Sequence, residues 1–212
     1  MKKLLLAAFV LSLCVACSPK QELYLIETDL GTMTVKLYDS TPQHRDNFKK
    51  LVSEAYYDDL LFHRVIAGFM VQGGDPESRN APASKRLGGG GPPYKIPAEI
   101  GAYHFKGALS AARQGDQVNP EKKSSGSQFY VVQGKVQSDA DLKMMAQRKG
   151  LTYSAEDIEK YKTIGGTPFL DNDYTVFGEV VDGMDVIDKI AAVKTAPGDR
   201  PLKDVKMKIR KK

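Results

Sequence analysis

The stretch FHRVIAGFMVQGGD, residues 62–75, decides the fold of this 212-residue chain. Its β-branched and aromatic residues flank the pair Ala67-Gly68, a pattern that predicts two short strands joined by a tight turn. Side chains alternate faces along a strand, so Met70 and Gln72 point the same way and a hairpin brings Arg64 beside them. Inside the two strands no acidic residue neutralises this arginine. We expect it to meet either a remote carboxylate or a ligand.

Composition and charge predict one sizeable domain. Hydrophobic residues make up 42% of the chain, which is enough for one core at this length. Lysine and arginine total 31 against 26 aspartate and glutamate, giving a formal net charge of +5. Because the two signs are interspersed, we expect no nucleic-acid partner, and the basic end Arg210-Lys211-Lys212 is typical of a solvated tail.

The N-terminal residues have the pattern of an export signal. Two lysines precede the apolar run at 4–15, which is too short to span a bilayer comfortably and suits a signal peptide. Val15-Ala16-Cys17 resembles the end of a bacterial lipobox, although Cys14 stands where leucine is usual. We expect residues 1–16 to be a lipoprotein-type signal peptide, residues 17–22 a lipidated Cys17 with a tether, and residues 23–212 the functional domain.

The two cysteines leave a second interpretation open, a Cys-x-x-Cys redox pair, although no folded context surrounds Cys14 and Cys17. Lipidation would anchor the chain stably, because each buried CH₂ of an acyl chain contributes about 0.8 kcal/mol. The expected location is the bacterial cell envelope, with the exported protein lipid-anchored through Cys17 and either facing the periplasm or held at the outer membrane.

Hydrophobic periodicity predicts a mainly β domain. One amphipathic helix opens at Thr41-Pro42, with Thr41 as its N-cap, and a second covers residues 184–191. The two helices are expected to cap the ends of one closed sheet. The strand-like runs of that sheet lie at 23–28, 32–38, 62–75, 107–113, 127–132, 176–180 and 205–209.

Residues 138–162 break the β pattern and predict an inserted helical hairpin. Ser138 precedes apolar residues at helical spacing, and Gly150 is suited to end that helix. The run Ser154-Ala155-Glu156-Asp157 is typical of a capping box that opens a second helix. The pattern leaves open whether the insertion is an ornament or tunes access to a functional site.

Motifs for hydrolytic and metal chemistry are missing from the sequence. It contains no Gly-x-Ser-x-Gly elbow, and His44, His63 and His104 share no ligand spacing, so we expect surface or core histidines and no metal site. The glycine run 88–91 lacks the Lys-Ser/Thr of a phosphate loop, and the prolines that follow lack amide donors. We predict a plain surface loop there.

Several segments resemble the cyclophilin-type peptidyl-prolyl cis-trans isomerases, in the family's order. The resemblance implies a closed eight-stranded antiparallel β-barrel capped by two α-helices, with the helical hairpin around 138–162 as an insertion. It also implies an isomerase of X-Pro bonds that needs no cofactor. The segments are Thr41-Pro42, Asn47-Phe48, FHRVIAGFMVQGGD, GALSAAR at 107–113, SSGSQFYVV at 124–132, FLDNDYTVFGEV at 169–180 and GMDVI at 183–187.

The resemblance also implies the site residues. The family's catalytic arginine corresponds to Arg64. Five positions correspond to the pocket that holds the prolyl ring: Phe69, Met70, Tyr130, Leu170 and Tyr174. Five more correspond to positions that contact the substrate backbone or line the groove: Gln72, Ala112, Arg113, Gln128 and Phe169. Four residue types depart from those of many members: Phe169 for tryptophan, Tyr174 for histidine, Tyr130 for phenylalanine and Arg113 for asparagine.

These residue types suit the reaction. Rotation about an X-Pro bond crosses a barrier of about 20 kcal/mol because twisting destroys amide resonance, and no bond breaks. A fixed Arg64 guanidinium that donates to the prolyl nitrogen stabilises the twisted amide more than either planar form. The expected partners are proline-containing segments of envelope or exported proteins and a membrane reached through Cys17, and we expect a monomer. Two alternatives stay open: a non-catalytic holdase of the same fold, and a surface lipoprotein used for adhesion or assembly.

Overall fold

A computed structural model describes residues 21–212. The predicted signal peptide, Cys17 and most of the tether lie outside the described residues. Four α-helices are described: α1 (Pro42–Ser53), α2 (Asp139–Lys149), α3 (Ala155–Thr163) and α4 (Met184–Ala191). The strands are β1 (Leu23–Thr28), β2 (Gly31–Leu37), β3 (Leu60–Leu61), β4 (Arg64–Ile66), β5 (Met70–Gly73), β6 (Lys95–Ile96), β7 (Ala108–Ala111), β8 (Ser124–Ser125), β9 (Phe129–Val132), β10 (Val176–Asp182) and β11 (Lys206–Lys211).

The fold is mainly β, as predicted, and is built on one antiparallel sheet. Nine strands pair in the order β3-β11-β1-β2-β10-β7-β9-β5-β4, while β6 and β8 form a separate pair. Residues 62–75 contain the hairpin of β4 and β5, in which Arg64 pairs with Gln72 and Ile66 with Met70. The predicted strands and turn of this stretch are therefore confirmed.

The predicted closed eight-stranded barrel is wrong, because the nine-stranded sheet curls into a half-barrel. The edge strands β3 and β4 are not hydrogen-bonded to each other in the described chain. Both strands are very short, and their backbone donors are used elsewhere. In β3, Leu61 N–H donates to Ser78 Oγ at 3.0 Å, and in β4, Val65 N–H donates to Asp199 O at 2.8 Å. Since other segments take these donors, no ladder forms to close the sheet.

The two predicted capping helices cover the main core inside the curled sheet. Helix α1 buries Phe48 and Leu51, and α4 buries Ile187 and Ile190, all against the same cluster of strand residues. Each such side chain contributes roughly 1.5–3 kcal/mol when it is fully buried. The 3.6-residue periodicity that predicted these helices is therefore the pattern of their contact with the core.

A distant carboxylate caps the N-terminus of α1. Thr41 is the N-cap residue and Pro42 follows it, as predicted, but within the described chain the Thr41 side chain makes no capping hydrogen bond. Glu99 accepts instead from Gln43 N–H at 3.1 Å and His44 N–H at 3.0 Å, and its Oε2 lies 2.6 Å from His44 Nδ1. The negative carboxylate there also complements the helix dipole.

The predicted helical hairpin at 138–162 is present as α2 and α3. Both N-termini have a capping box, in which Ser138 pairs with Asp141 and Ser154 with Asp157. Gly150 ends α2 in the left-handed conformation, at φ 64°, which glycine adopts without steric cost. No helix within residues 21–212 is long and apolar enough to cross a bilayer.

Candidate active site

A cavity of about 100 Å³ opens between the β4–β5 hairpin, the ends of β7 and β9, and the loop before β10. Apolar and aromatic side chains form most of its wall, and two arginines lie at its edge. The cavity brings together most of the predicted site residues, which the sequence spreads over more than a hundred positions. They are Arg64, Phe69, Met70, Gln72, Ala112, Arg113, Tyr130, Leu170 and Tyr174.

The apolar floor of the cavity follows from strand alternation. Met70 on β5 and Tyr130 on β9 are both at least 96% buried, at 1% and 4% relative exposure, and belong to a small cluster separate from the main core. Phe129 and Val131, on the other face of β9, pack into that main core instead. The two-residue period that predicted opposite faces for these residues is confirmed.

Arg64 reaches the mouth of the cavity from β4. Its Nη1 donates to Gln72 Oε1 at 3.4 Å, and its Nε lies 3.4 Å from Asp199 Oδ2. The side chains of Arg64 and Asp199 are 41% and 42% exposed, so water screens their attraction. Arg64 thus has the remote carboxylate that the sequence left open as one alternative, while its guanidinium stays accessible to a ligand.

Gln72 is held by a chain of amide groups. Its Nε2 donates to Gln128 Oε1 at 3.0 Å, and Gln128 Nε2 donates to the carbonyl oxygens of Gly88 at 3.0 Å and Gly90 at 2.7 Å. Asp75 Oδ2 accepts from Gly88 N–H at 2.5 Å. The glycine run is therefore more than the predicted surface loop. It forms part of the wall of a neighbouring cavity of about 230 Å³.

Two predicted residues, Arg113 and Phe169, lie at the rim. The Arg113 Cζ is 4.4 Å from the centre of the Tyr174 ring, and its Nε donates to Asp173 O at 2.8 Å. Phe169 does not line the 100 Å³ cavity in the described chain; its ring lies 5.3 Å from that of Phe69 and the residue is 48% exposed. Arg113 is therefore held by local partners and its side chain is only 4% exposed, whereas Arg64 makes two contacts of 3.4 Å and stays accessible.

Sequence reasoning missed the role of His104 beside the cavity. This fully buried histidine is a satisfied core residue, as expected, but its Nε2 lies 3.0 Å from the Tyr130 hydroxyl. Its Nδ1 lies 2.9 Å from Asp171 Oδ1. Burial lowers the pKa of His104 even though Asp171 opposes that shift, and burial raises the pKa of Tyr130 well above its usual value. A neutral His104 therefore donates to Asp171 and accepts from Tyr130.

The other two histidines have different surroundings. Burial lowers the pKa of His44, against the opposing effect of Glu99. His63 is also buried, and neither of its ring nitrogens has a hydrogen-bond partner within residues 21–212. No group of three or more histidine, cysteine, aspartate or glutamate side chains in this range could hold a metal ion.

Comparison with known proteins agrees with this fold. The profile of the family "Cyclophilin type peptidyl-prolyl cis-trans isomerase/CLD" matches residues 23–211. A protein of Staphylococcus aureus (strain USA300), named as a peptidyl-prolyl cis-trans isomerase, is 36% identical over 182 residues, which are 85% of this chain and 86% of the relative. A protein of Staphylococcus saprophyticus with the same name is also 36% identical over 182 residues, again 85% and 86% of the two chains.

Two solved structures share the fold. A cyclophilin type peptidyl-prolyl cis-trans isomerase of Cryptosporidium parvum superposes with a TM-score of 0.64 at 23% identity and covers 91% of this chain and 98% of its own. The same protein in the presence of the dipeptide Ala-Pro gives a TM-score of 0.61 at 23% identity, covering 89% and 97%. The chain belongs to the cyclophilin-type peptidyl-prolyl cis-trans isomerase family. The predicted family and enzyme class are confirmed.

Proposed function

We propose that this protein accelerates rotation about X-Pro bonds by holding the prolyl ring in the 100 Å³ cavity while Arg64 stabilises the twisted amide. The observation that carries the proposal is the position of Arg64 at the mouth of a cavity whose opposite wall is apolar. A pyrrolidine ring has no polar group to satisfy, so an apolar wall suits it. The guanidinium supplies a hydrogen-bond donor that is already positioned for the prolyl nitrogen of the twisted amide.

The reaction needs no bond to a protein atom. In the planar amide the nitrogen lone pair is delocalised and is a poor acceptor, whereas in the twisted amide it is localised. Donation from Arg64 therefore strengthens as the bond rotates, which lowers the barrier without tighter binding of either planar isomer. Gln72, oriented by Gln128, holds the peptide next to the rotating bond, because its side-chain amide can pair with a backbone group.

Isomerase kinetics of variants test this mechanism. Arg64→Ala is expected to lower kcat/KM by about a hundredfold or more, the effect seen when one preorganised donor to a transition state is removed. The measurement is the exchange rate of a proline-containing tetrapeptide, followed by NMR without a coupling protease. Arg86→Ala is the matched control, because Arg86 is exposed and lines a different cavity beside Arg64. Equal rates for Arg64→Ala and the unaltered protein would refute the mechanism.

A second assay of the Arg64→Ala variant separates the enzyme from a holdase. Suppression of the aggregation of an unfolded client is expected to survive Arg64→Ala, because that activity needs the cavity and not the donor. The family membership and the names of the relatives favour the enzyme over the holdase and over a purely adhesive lipoprotein. A protein that binds proline peptides but shows no rate enhancement would favour the holdase.

We further propose that the protein acts at the bacterial cell envelope on proline-containing segments of exported proteins, as a lipid-anchored monomer. The support is the N-terminal pattern alone, namely the basic start, the apolar run and Cys17. Expression of the full chain in a bacterium supplied with labelled palmitate is expected to label the protein and place it in the membrane fraction. Cys17→Ser should abolish both results, and Cys14→Ser should abolish neither. Unchanged labelling in Cys17→Ser would overturn the anchor.

A further inference from the structure

The helical hairpin of α2 and α3 reaches a buried carboxylate next to the cavity. Asp171 directly follows Leu170 of the cavity wall and is fully buried. Its Oδ2 accepts from the hydroxyl of Tyr153, in the connection between the two helices, at 2.8 Å, and from the hydroxyl of Tyr161 on α3 at 2.6 Å. The insertion therefore supplies two of the hydrogen bonds that this carboxylate needs.

The other oxygen of the same carboxylate leads to the cavity. Asp171 Oδ1 accepts from the backbone N–H of His104 at 2.8 Å and from its Nδ1 at 2.9 Å. The Tyr130 hydroxyl donates to His104 Nε2 at 3.0 Å. The ring of Tyr174, another wall residue, packs edge-on against the rings of His104 and Tyr130, with centres 6.4 Å and 6.1 Å away. A continuous chain of hydrogen bonds thus joins the insertion to the cavity wall.

Breaking this series of hydrogen bonds has a high cost in free energy because all of its side chains are buried. A buried carboxylate is stable only when donors replace the water it has lost, and four donors surround Asp171. Its contact with Nδ1 selects the neutral histidine tautomer in which Nε2 is the acceptor. If donors to Oδ2 are removed, the carboxylate is expected to shift towards those that remain. That shift turns the imidazole and frees the Tyr130 hydroxyl.

A second and weaker contact runs parallel to the first. Lys149, near the end of α2, forms an ion pair with Asp173. The carbonyl oxygen of Asp173 in turn accepts from Arg113 Nε, which stands over the Tyr174 ring. Asp173 is 31% exposed, so salt screens this pair more than the buried chain. Both contacts join the hairpin to the same side of the cavity.

We propose that the inserted hairpin positions the wall of the prolyl cavity, with Tyr153 and Tyr161 acting through Asp171 and His104 on Tyr130. Tyr153, Tyr161, Asp171 and His104 are positioning residues, since none of the four lines the 100 Å³ cavity in the described chain. Tyr130, on which they act, does line it. The inference rests on the proposed function. Because the wall grips the prolyl ring in the planar and twisted states alike, its misplacement raises KM and leaves kcat nearly unchanged.

The test removes hydroxyls and keeps rings. Tyr153→Phe, Tyr161→Phe and the double variant are compared with Tyr103→Phe, a matched control. Tyr103 packs in the same aromatic cluster, but its hydroxyl donates to Thr152 O and not to Asp171. KM and kcat are measured by NMR exchange at a temperature at which every variant is folded. The double variant is expected to raise KM by about tenfold, which is less than the roughly hundredfold effect that a misplacement of 1 Å can have.

Three readouts are independent of catalysis. Long-range ¹⁵N–¹H spectra should report one Nδ1–H tautomer of His104 in the unaltered protein and in Tyr103→Phe, and a mixture in the double variant. The methyl resonance of Met70, in the cavity, should move only in the Tyr153 and Tyr161 variants. Titration with the dipeptide Ala-Pro, followed on that methyl group, should show the same loss of affinity as KM.

The outcomes separate this inference from the proposed function. An unaltered protein without isomerase activity refutes the function, and the tautomer, the Met70 resonance and dipeptide affinity still decide the positioning. A lowered Tm with unchanged KM, tautomer and dipeptide affinity in the double variant shows a merely structural role and overturns the inference. Tyr130→Phe already removes the last hydrogen bond of the series, so adding Tyr161→Phe to that variant should change KM by less than about twofold. Full additivity of the two effects on KM would contradict the inference.

Discussion

Asp199 Oδ2 lies 3.4 Å from Arg64 Nε, so the proposed catalytic cation has one carboxylate partner, from the turn before β11. The backbone carbonyl oxygen of Asp199 also accepts a hydrogen bond from Val65 N–H. The side-chain pair is about two-fifths exposed on both sides, and pairs of that kind contribute roughly 0–1 kcal/mol. Asp199 therefore orients the Arg64 guanidinium but leaves it able to donate to a substrate.

Replacement of this aspartate should change the rate only slightly. Asp199 has a left-handed backbone at φ 67°, which asparagine tolerates well, so Asp199→Asn removes the charge and keeps the turn. We expect kcat/KM to stay within about fivefold of the unaltered value, because an exposed pair is weak. A loss as large as that of Arg64→Ala in the same NMR exchange measurement would show that the pair is essential.

Gly74, directly after β5, should not tolerate alanine. Its φ is +86°, and an added Cβ would collide with the carbonyl oxygen of Ser127. Gly74→Ala is expected to lower the free energy of unfolding by more than about 2 kcal/mol, measured by urea denaturation. Gly150→Ala is the matched control, because Gly150 has φ +64° but an added Cβ there has no neighbour within 4 Å in the described chain.

The control isolates the steric effect. Gly150→Ala carries only the cost of a left-handed alanine, about 1–2 kcal/mol. An equal loss of stability in both variants would mean that the collision at Gly74 relaxes without cost.

Acid should destabilise the protein below about pH 6.5, the pKa of an unperturbed histidine. Burial lowers the pKa of His44, His63 and His104 in the folded state. The unfolded chain therefore binds protons first as the pH falls, and stability that is complete above pH 6.5 is lost below it. Each histidine that stays neutral on folding contributes about 1.4 kcal/mol per pH unit. The charged groups facing these histidines are Glu99, Asp75, Arg64, Arg200, Asp171, Lys149 and Asp173.

Urea denaturation between pH 7.5 and 5 measures this slope. Burial opposes the ionised form of Glu99, but hydrogen bonds from His44 and two backbone amides outweigh burial and lower the pKa of this carboxyl, so it does not interfere. His63→Gln should reduce the slope of the unfolding free energy against pH, since the unfolded variant binds one proton fewer. A stability that is constant over this pH range would refute the assignment of neutral buried histidines.

Helix α1 should depend on Glu99 more than on its own N-cap residue. Glu99 accepts three hydrogen bonds from the first turn and the His44 ring, while the Thr41 side chain only donates weakly to Tyr38 O at 3.4 Å. Glu99→Gln removes the negative charge and is expected to cost about 1–2 kcal/mol of unfolding free energy. Thr41→Ala should cost about 1 kcal/mol or less. The reverse order in thermal denaturation would show that the distant cap is dispensable.

Much of the molecule follows from short-range pattern. The alternation in residues 62–75 predicts the β4–β5 hairpin and the common side of Arg64 and Gln72, because side-chain direction in a strand depends only on parity. Ser138, Gly150 and Ser154 predict the ends of α2 and α3 in the same way, since capping involves atoms within four residues. The residues of the cavity wall come from the family resemblance.

Tertiary structure alone decided the rest. The closed barrel is wrong because closure requires two very short edge strands to pair with each other, and their amides donate to other segments instead, Leu61 to Ser78 Oγ and Val65 to Asp199 O. Glu99 caps a helix 55 residues away, and Asp171 holds a histidine 67 residues away. Hydrogen bonds over such separations produce no periodic pattern in the sequence. They form because each donor and acceptor, once buried, must find a partner in whatever the fold has brought beside it.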